Sequence, residues 1–222
     1  MTAHFKLFVF DWDGTLMDSE RKIVSCLRNT VNDLGLQPKD DNTLKNIIGL
    51  GLHESVLTLY PDMSLEGRHQ FIDRYRYHFL TANETCSELF PGTKSTLKTL
   101  NESGHYMAIA TGKGRRGLNA VLNETGLNSL FHSSRCADET CSKPHPQMLL
   151  EIMEELDVTP EQTLMIGDTE YDMEMANNAR VTPLAVSYGV HERERLLRHN
   201  PVACLTKIED LLTWLRDQMS VA

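Results

Sequence analysis

From residue 89 onward, short apolar runs alternate with segments of helical spacing, and this limits the fold more than any other feature of the chain. "YMAIAT" (106–111), "TLMIGD" (163–168) and "TPLAVSYG" (182–189) read as strands. Helical patterns cover 93–103, 115–125, 145–156, 171–179 and 207–218. Such alternation predicts right-handed strand–helix–strand units around a parallel sheet. A further apolar run, "FKLFVF" (5–10), supplies an earlier strand. Between it and residue 86 no strand is expected. Ile23, Val24, Leu27, Val31 and Leu34 fall on one helical face ending at Gly35, with further helices near 43–48, 53–59 and 64–82. Residues 17–86 therefore read as a helical insertion, leaving 1–16 and 87–222 as the core.

Open parallel sheets bind ligands beyond the carboxyl ends of their strands. There the sequence places "DWDGT" after the first strand, "TGKG" after "YMAIA" and "GDTEYD" after "LMI", with "SKPHPQ" (142–147) ahead of a helix. Asp11, Asp168 and Asp172 converge in this arrangement. Two carboxylates about 4 Å apart repel by roughly 4 kcal/mol at an effective dielectric near 20. The cluster thus calls for raised pKa values or a bound cation. All-oxygen ligands favour a hard ion, and Mg²⁺ also suits phosphate oxygens. Thr111 offers a hydroxyl, Lys143 a point charge, and the turns at Gly14 and Gly112 backbone N–H groups. Aspartate can attack phosphorus, and a second acid two residues on can protonate the leaving oxygen and then activate water.

"DWDGT", "ATGK", "KPHP" and "GDTEYD" resemble, in order and spacing, the four signature motifs of the haloacid dehalogenase superfamily, nearest its phosphoglycolate-phosphatase-like branch. The resemblance implies an α/β fold with a Rossmann-like doubly wound parallel sheet, an inserted α-helical cap over 17–86, and a Mg²⁺-dependent phosphatase. It implies that Asp11 is nucleophile and metal ligand, and that Asp13 is general acid/base and a ligand through its carbonyl. Thr111 and Lys143 would bind phosphate, Asp168 would bind metal, and Asp172 would bind metal through water or orient Lys143. Relatives often carry Asn where this chain has Gly112, and Phe, Leu or Met where it has Trp12. Trp12 is expected to pack beside the site.

Each residue also has a structural reading. An aspartate after a strand is commonly a turn or N-cap residue, Thr111 could cap a helix, Lys143 could be a surface lysine, and Asp172 could be an N-terminal helix charge. "GKGRRG" (112–117) does not match a P-loop, and Arg115 and Arg116 are expected in solvent or at the site mouth. "GLGLHE" (49–54) reads as a specificity segment or a plain helix–helix turn. His53 and "RYRYHF" (74–79) read as core and surface of the insertion rather than ligands.

Apolar residues make up 41% of the 222, enough for a sizeable core, and the formal charge of −9 argues against a nucleic-acid partner. No run is long enough for a membrane span, no signal-peptide pattern opens the chain, and five scattered cysteines form no C-x-x-C pair. A cytoplasmic protein with reduced thiols and a small phosphorylated metabolite as partner is expected, with monomer and dimer both open. Alternatives within reach of the same motifs are a β-phosphoglucomutase-type phosphomutase and a non-catalytic phosphate-ligand module.

Overall fold

A computed structural model describes residues 5–220; residues 1–4 and 221–222 of the expected core lie outside them. The chain runs β1 (Leu7–Phe10), β2 (Met17–Asp18), α1 (Glu20–Asp33), α2 (Asp41–Asn46), α3 (Leu52–Leu59), α4 (Leu65–Tyr77) and β3 (Glu88–Leu89). It continues α5 (Thr93–Glu102), β4 (Tyr106–Thr111), α6 (Arg115–Thr125), β5 (Ser133–Cys136), α7 (Gln147–Leu156), β6 (Thr163–Gly167) and α8 (Glu170–Asn178). β7 (Thr182–Val186), α9 (Arg193–Leu197), β8 (Cys204–Leu205) and α10 (Asp210–Ser220) complete it.

Six strands form one parallel sheet in the order β5-β4-β1-β6-β7-β8. β1 lies inside it, with Phe10 level with Ile109 of β4 and Ile166 of β6. All four β1 residues are buried, because helices cover both faces of the sheet. Strand alternation divides them. Phe8 and Phe10 join a cluster with Leu97, Leu118 and Leu211 of α5, α6 and α10. Leu7 and Val9 turn to the other face, with Leu149 and Ile152 of α7 and Ala176 of α8. Trp12 is fully buried in the first cluster, edge-on to Phe131.

The sheet has strands that periodicity does not reveal. β5 reads SSRC, and its polar side chains engage α7: Arg135 pairs with Glu151 and Glu155, and Ser133 bonds Glu155. β2 corrects the expectation of no strand between 17 and 86. It pairs antiparallel with β3, Met17 opposite Leu89 and Asp18 opposite Glu88, and two residues are too few to show a period.

Helices α1–α4 lie between the two strands of this ribbon and have a hydrophobic cluster of their own, including Leu27, Leu44, Val56, Leu59 and Phe71. The helix expected over 64–82 ends at Tyr77 and passes into a π-helical turn, His78–Ala82, closed by Asn83 N–H donating to the His78 carbonyl. No helix among the described residues is long and apolar enough to cross a membrane.

Candidate active site

The central strands end together, and their carboxyl ends carry the acids. Asp11 follows β1 directly, its N–H donating to the Ile166 carbonyl. Asp168 follows β6, Asp172 stands in the first turn of α8, Thr111 ends β4, and Lys143 lies in the loop before α7. Lys143 Nζ is 2.7 Å from Asp11 Oδ1 and 2.7 Å from Asp172 Oδ1, with all three side chains at most 1% exposed. Asp172 Oδ2 accepts from the backbone N–H and hydroxyl of Thr169, closing a capping box on α8. Asp172 thus serves as helix cap and lysine partner at once.

Asp168 Oδ1 accepts from Thr15 Oγ1 and Asp168 Oδ2 from the Val190 N–H. Gly14 has φ +86°, and a Cβ there would lie 2.2 Å from Asp168 Oδ2, so only glycine lets the "DGT" turn pass this close. Asp13 faces another way: Oδ1 accepts from Ser19 and Oδ2 pairs with Lys113 Nζ at 2.9 Å. Thr111 is fully buried, and its hydroxyl oxygen accepts from the Lys113 N–H.

Burial pushes the Asp11 carboxyl well above the usual range; Lys143 opposes this, and the charges of Asp172 and Asp168 add to it. Asp168 rises to about 7, through burial and then the charge of Asp172, against the donors Val190 and Thr15. Burial alone would lower Lys143, but the neighbouring Asp11 and Asp172 carboxylates hold it above the normal lysine range. The lysine is therefore a fixed cation.

Oxygens of Asp11, Asp168 and Asp172 lie within 4.8 Å of one another, and Asp11 Oδ2 is buried without a hydrogen-bond donor. Three buried carboxylates share one lysine. This donor set fits a hard divalent cation, which would supply the missing positive charge.

Asp11, Asp13, Thr111 and Gly112 border a cavity of about 290 Å³ between the sheet and helices α1–α4. The helical segment approaches closely. A Cβ on Gly112 would lie 2.5 Å from the carbonyl oxygens of both Gly49 and Leu50. Gly51 N–H donates to Ser142 Oγ, and Tyr171 OH donates to the Asn46 carbonyl. The "GLGLHE" turn thus rests on the "TGK" turn, while His53 stands outside, edge-on to His69.

One surface expectation changes. Arg115 is held away from the site by Glu139, which it grips with two nitrogens, and by Ser134. Tyr75 and Phe79 belong to the core of the insertion, as expected, and with Arg76 and the exposed Arg116 they also border the cavity. Sequence reasoning missed Lys113, Thr15 and Ser19. The first two stand inside "ATGK" and "DWDGT", so motif membership was the available signal; nothing local marks Ser19.

A family model described as haloacid dehalogenase-like hydrolase matches residues 8–186. The chain is 31% identical to "Probable phosphatase IndB" of Dickeya dadantii, over 88% of this chain and 86% of that one. It is 30% identical to a phosphoglycolate phosphatase of Vibrio vulnificus, over 93% and 94% of the two chains. The crystal structure of a haloacid dehalogenase-like hydrolase from Bacteroides fragilis superposes with a TM-score of 0.87 at 27% identity, covering 93% of this chain and 99% of that one.

Proposed function

The chain belongs to the haloacid dehalogenase-like hydrolases, and from that footing we propose a Mg²⁺-dependent phosphatase that cleaves a small phosphomonoester through an aspartyl-phosphate on Asp11. The observation that carries this reading is Asp11 Oδ2, a buried carboxylate oxygen with no donor, bordering a cavity of substrate size.

Asp11 attacks phosphorus, and the bond to the leaving oxygen breaks with a proton delivered by Asp13 in its acid form. Asp13, now a carboxylate, then takes a proton from water as that water attacks phosphorus, breaking its bond to Asp11 and releasing inorganic phosphate. Lys143 offsets the charge of Asp11 and of the phosphoryl oxygens. The Thr111 hydroxyl and the N–H at Gly112 position those oxygens; the Gly14 N–H, expected to join them, is instead donated to the Met17 carbonyl at 2.8 Å and closes the turn. Asp172 holds Lys143 in place through its 2.7 Å contact. Asp11, Asp168, the Asp13 carbonyl and, through water, Asp172 would hold Mg²⁺, which supplies charge neutralisation at the phosphoryl group. Residues 17–86 act as a cap that excludes bulk water when seated on Gly112.

The test is hydrolysis of p-nitrophenyl phosphate with and without Mg²⁺, with Asp11→Asn as control. Mg²⁺-dependent release of inorganic phosphate, lost in the variant, is expected. Activity without Mg²⁺, or full activity in the variant, refutes the reading. Conversion of a sugar phosphate to its isomer without phosphate release would make the enzyme a mutase.

A further inference from the structure

We infer that the chamber over Asp11 selects a phosphomonoester whose alcohol portion is apolar, in preference to one bearing a carboxylate or a second phosphate. The inference rests on the phosphatase reading for the fate of that ester, and on the chamber's walls for its selectivity.

The chamber has two unlike sides. Its floor is polar, with Asp11, Asp13 and Thr111. Its roof is made by Ile23 and Leu27 of α1, Ile47 and Ile48 just after α2, Tyr75 of α4 and Leu80 of the π-helical turn. Ile23, Leu27, Ile47 and Ile48 are at most 7% exposed. The hydroxyls on this side, Ser55 and Tyr75, carry no charge, and burial pushes the tyrosine up so that it stays neutral. The wall between floor and roof contains Gly49, Gly112, Gly114 and Gly117, which add no polar side chain.

The cations of the lining are paired with acids or stand at the rim. Lys113 is held by Asp13 and lies over the Phe79 ring at 4.3 Å. Arg76 lies 3.9 Å from Asp138, and Arg116 is exposed at the rim. A carboxylate seated under the roof would lose its water and could be paired only by drawing Lys113 from Asp13 or Arg76 from Asp138, whereas an apolar body there removes apolar wall from water. The volume agrees. About 290 Å³ holds about ten groups of water size, at roughly 30 Å³ each. The phosphate group, phosphorus and four oxygens, leaves room for about five carbons. A carboxylate that bends back to Arg116 at the rim is the competing arrangement.

The experiment compares ethyl, butyl and hexyl phosphate, whose leaving alcohols differ little in basicity, with phosphoglycolate and pyrophosphate. With Mg²⁺ present, kcat/KM is expected to rise with chain length, by up to about fourfold per methylene, and hexyl phosphate to exceed both polar substrates. In parallel, calorimetry of ethyl-, butyl- and hexylphosphonate measures affinity without turnover, and affinity is expected to rise in the same order. Turnover that ignores chain length, or that favours phosphoglycolate or pyrophosphate, overturns apolar selection and leaves the phosphatase reading standing. Phosphonate affinity that ignores chain length overturns it as well. Chain-length-dependent phosphonate binding without any turnover refutes the phosphatase reading and upholds the chamber's selectivity.

Discussion

Lys113 and Asp13 form a buried ion pair: Nζ stands 2.9 Å from Oδ2, and neither side chain is more than 10% exposed. The other Asp13 oxygen accepts from Ser19, so the proposed acid/base is gripped on both sides. Removing one partner of such a pair strands the other. Lys113→Met is expected to destabilise the protein by about 3 kcal/mol and to lower kcat/KM. The double variant Asp13→Asn/Lys113→Met recovers much of the stability, because no charge is left alone. Chemical denaturation of the single and double variants checks this, and additive losses would show that the pair is not coupled.

Asp11→Asn separates chemistry from stability. Phosphate release is expected to fall by roughly 10³-fold or more, the scale seen when a covalent nucleophile is lost. The metal-free variant should melt no lower than the parent, since a buried carboxylate with a raised pKa and an unpaired oxygen is gone. Thermal melts beside a phosphate-release assay read both quantities.

The acid cluster gives stability a pH dependence of known sign. Asp168 titrates near 3.9 in an unfolded chain and at about 7 in the fold. The folded state then binds the proton more tightly, so stability is fully present below the unfolded value and is lost as pH rises through about 7. Metal-free protein is expected to melt lower at pH 8 than at pH 5. Mg²⁺ should raise the melting temperature more at pH 8, where the carboxylates are charged. Equal Mg²⁺ shifts at both pH values would contradict a cation site built from Asp11, Asp168 and Asp172.

Gly112 admits the Gly49–Leu50 turn, whose carbonyl oxygens leave no space for a Cβ. Gly112→Ala is expected to hold the helical segment off the sheet and to cut kcat/KM by about 10- to 100-fold, the scale of an ångström of misplacement at a reacting centre. Faster hydrogen exchange around residues 47–51 in the variant, at unchanged exchange in β1, would locate the effect. An unchanged rate would show that the turn does not need this approach.

The parallel sheet and the strand ends bearing acids were legible because each rests on a short-range pattern: an apolar run, a glycine turn, an acid. β5 was not, because its SSRC sequence is stabilised by ion pairs to α7 rather than by apolar burial. The ribbon of Met17–Asp18 with Glu88–Leu89 is too brief for any period. Lys113 was visible within "ATGK", but its choice of Asp13 as partner depends on two turns meeting. The crowding at Gly112 is likewise a contact between segments far apart in the chain. Arg115 read as a solvated cation because its partners Glu139 and Ser134 come from a strand and loop reached only through tertiary packing.

β1 precedes both of its sheet neighbours in the chain, and its pairing is complete only once β6 is made. Its neighbours β4 and β6 follow much later, Leu7 pairing with Tyr106 on one side and Thr163 on the other. Asp11 can therefore meet Lys143, and Thr15 can meet Asp168, only after most of the chain has been synthesised. A nascent chain stopped before β6 has an unfinished sheet centre and lacks Asp168. Such a chain holds Asp11, Asp13, Thr111 and Lys143 but neither of the acids that follow β6, so the cation site is completed by the last third of the sequence.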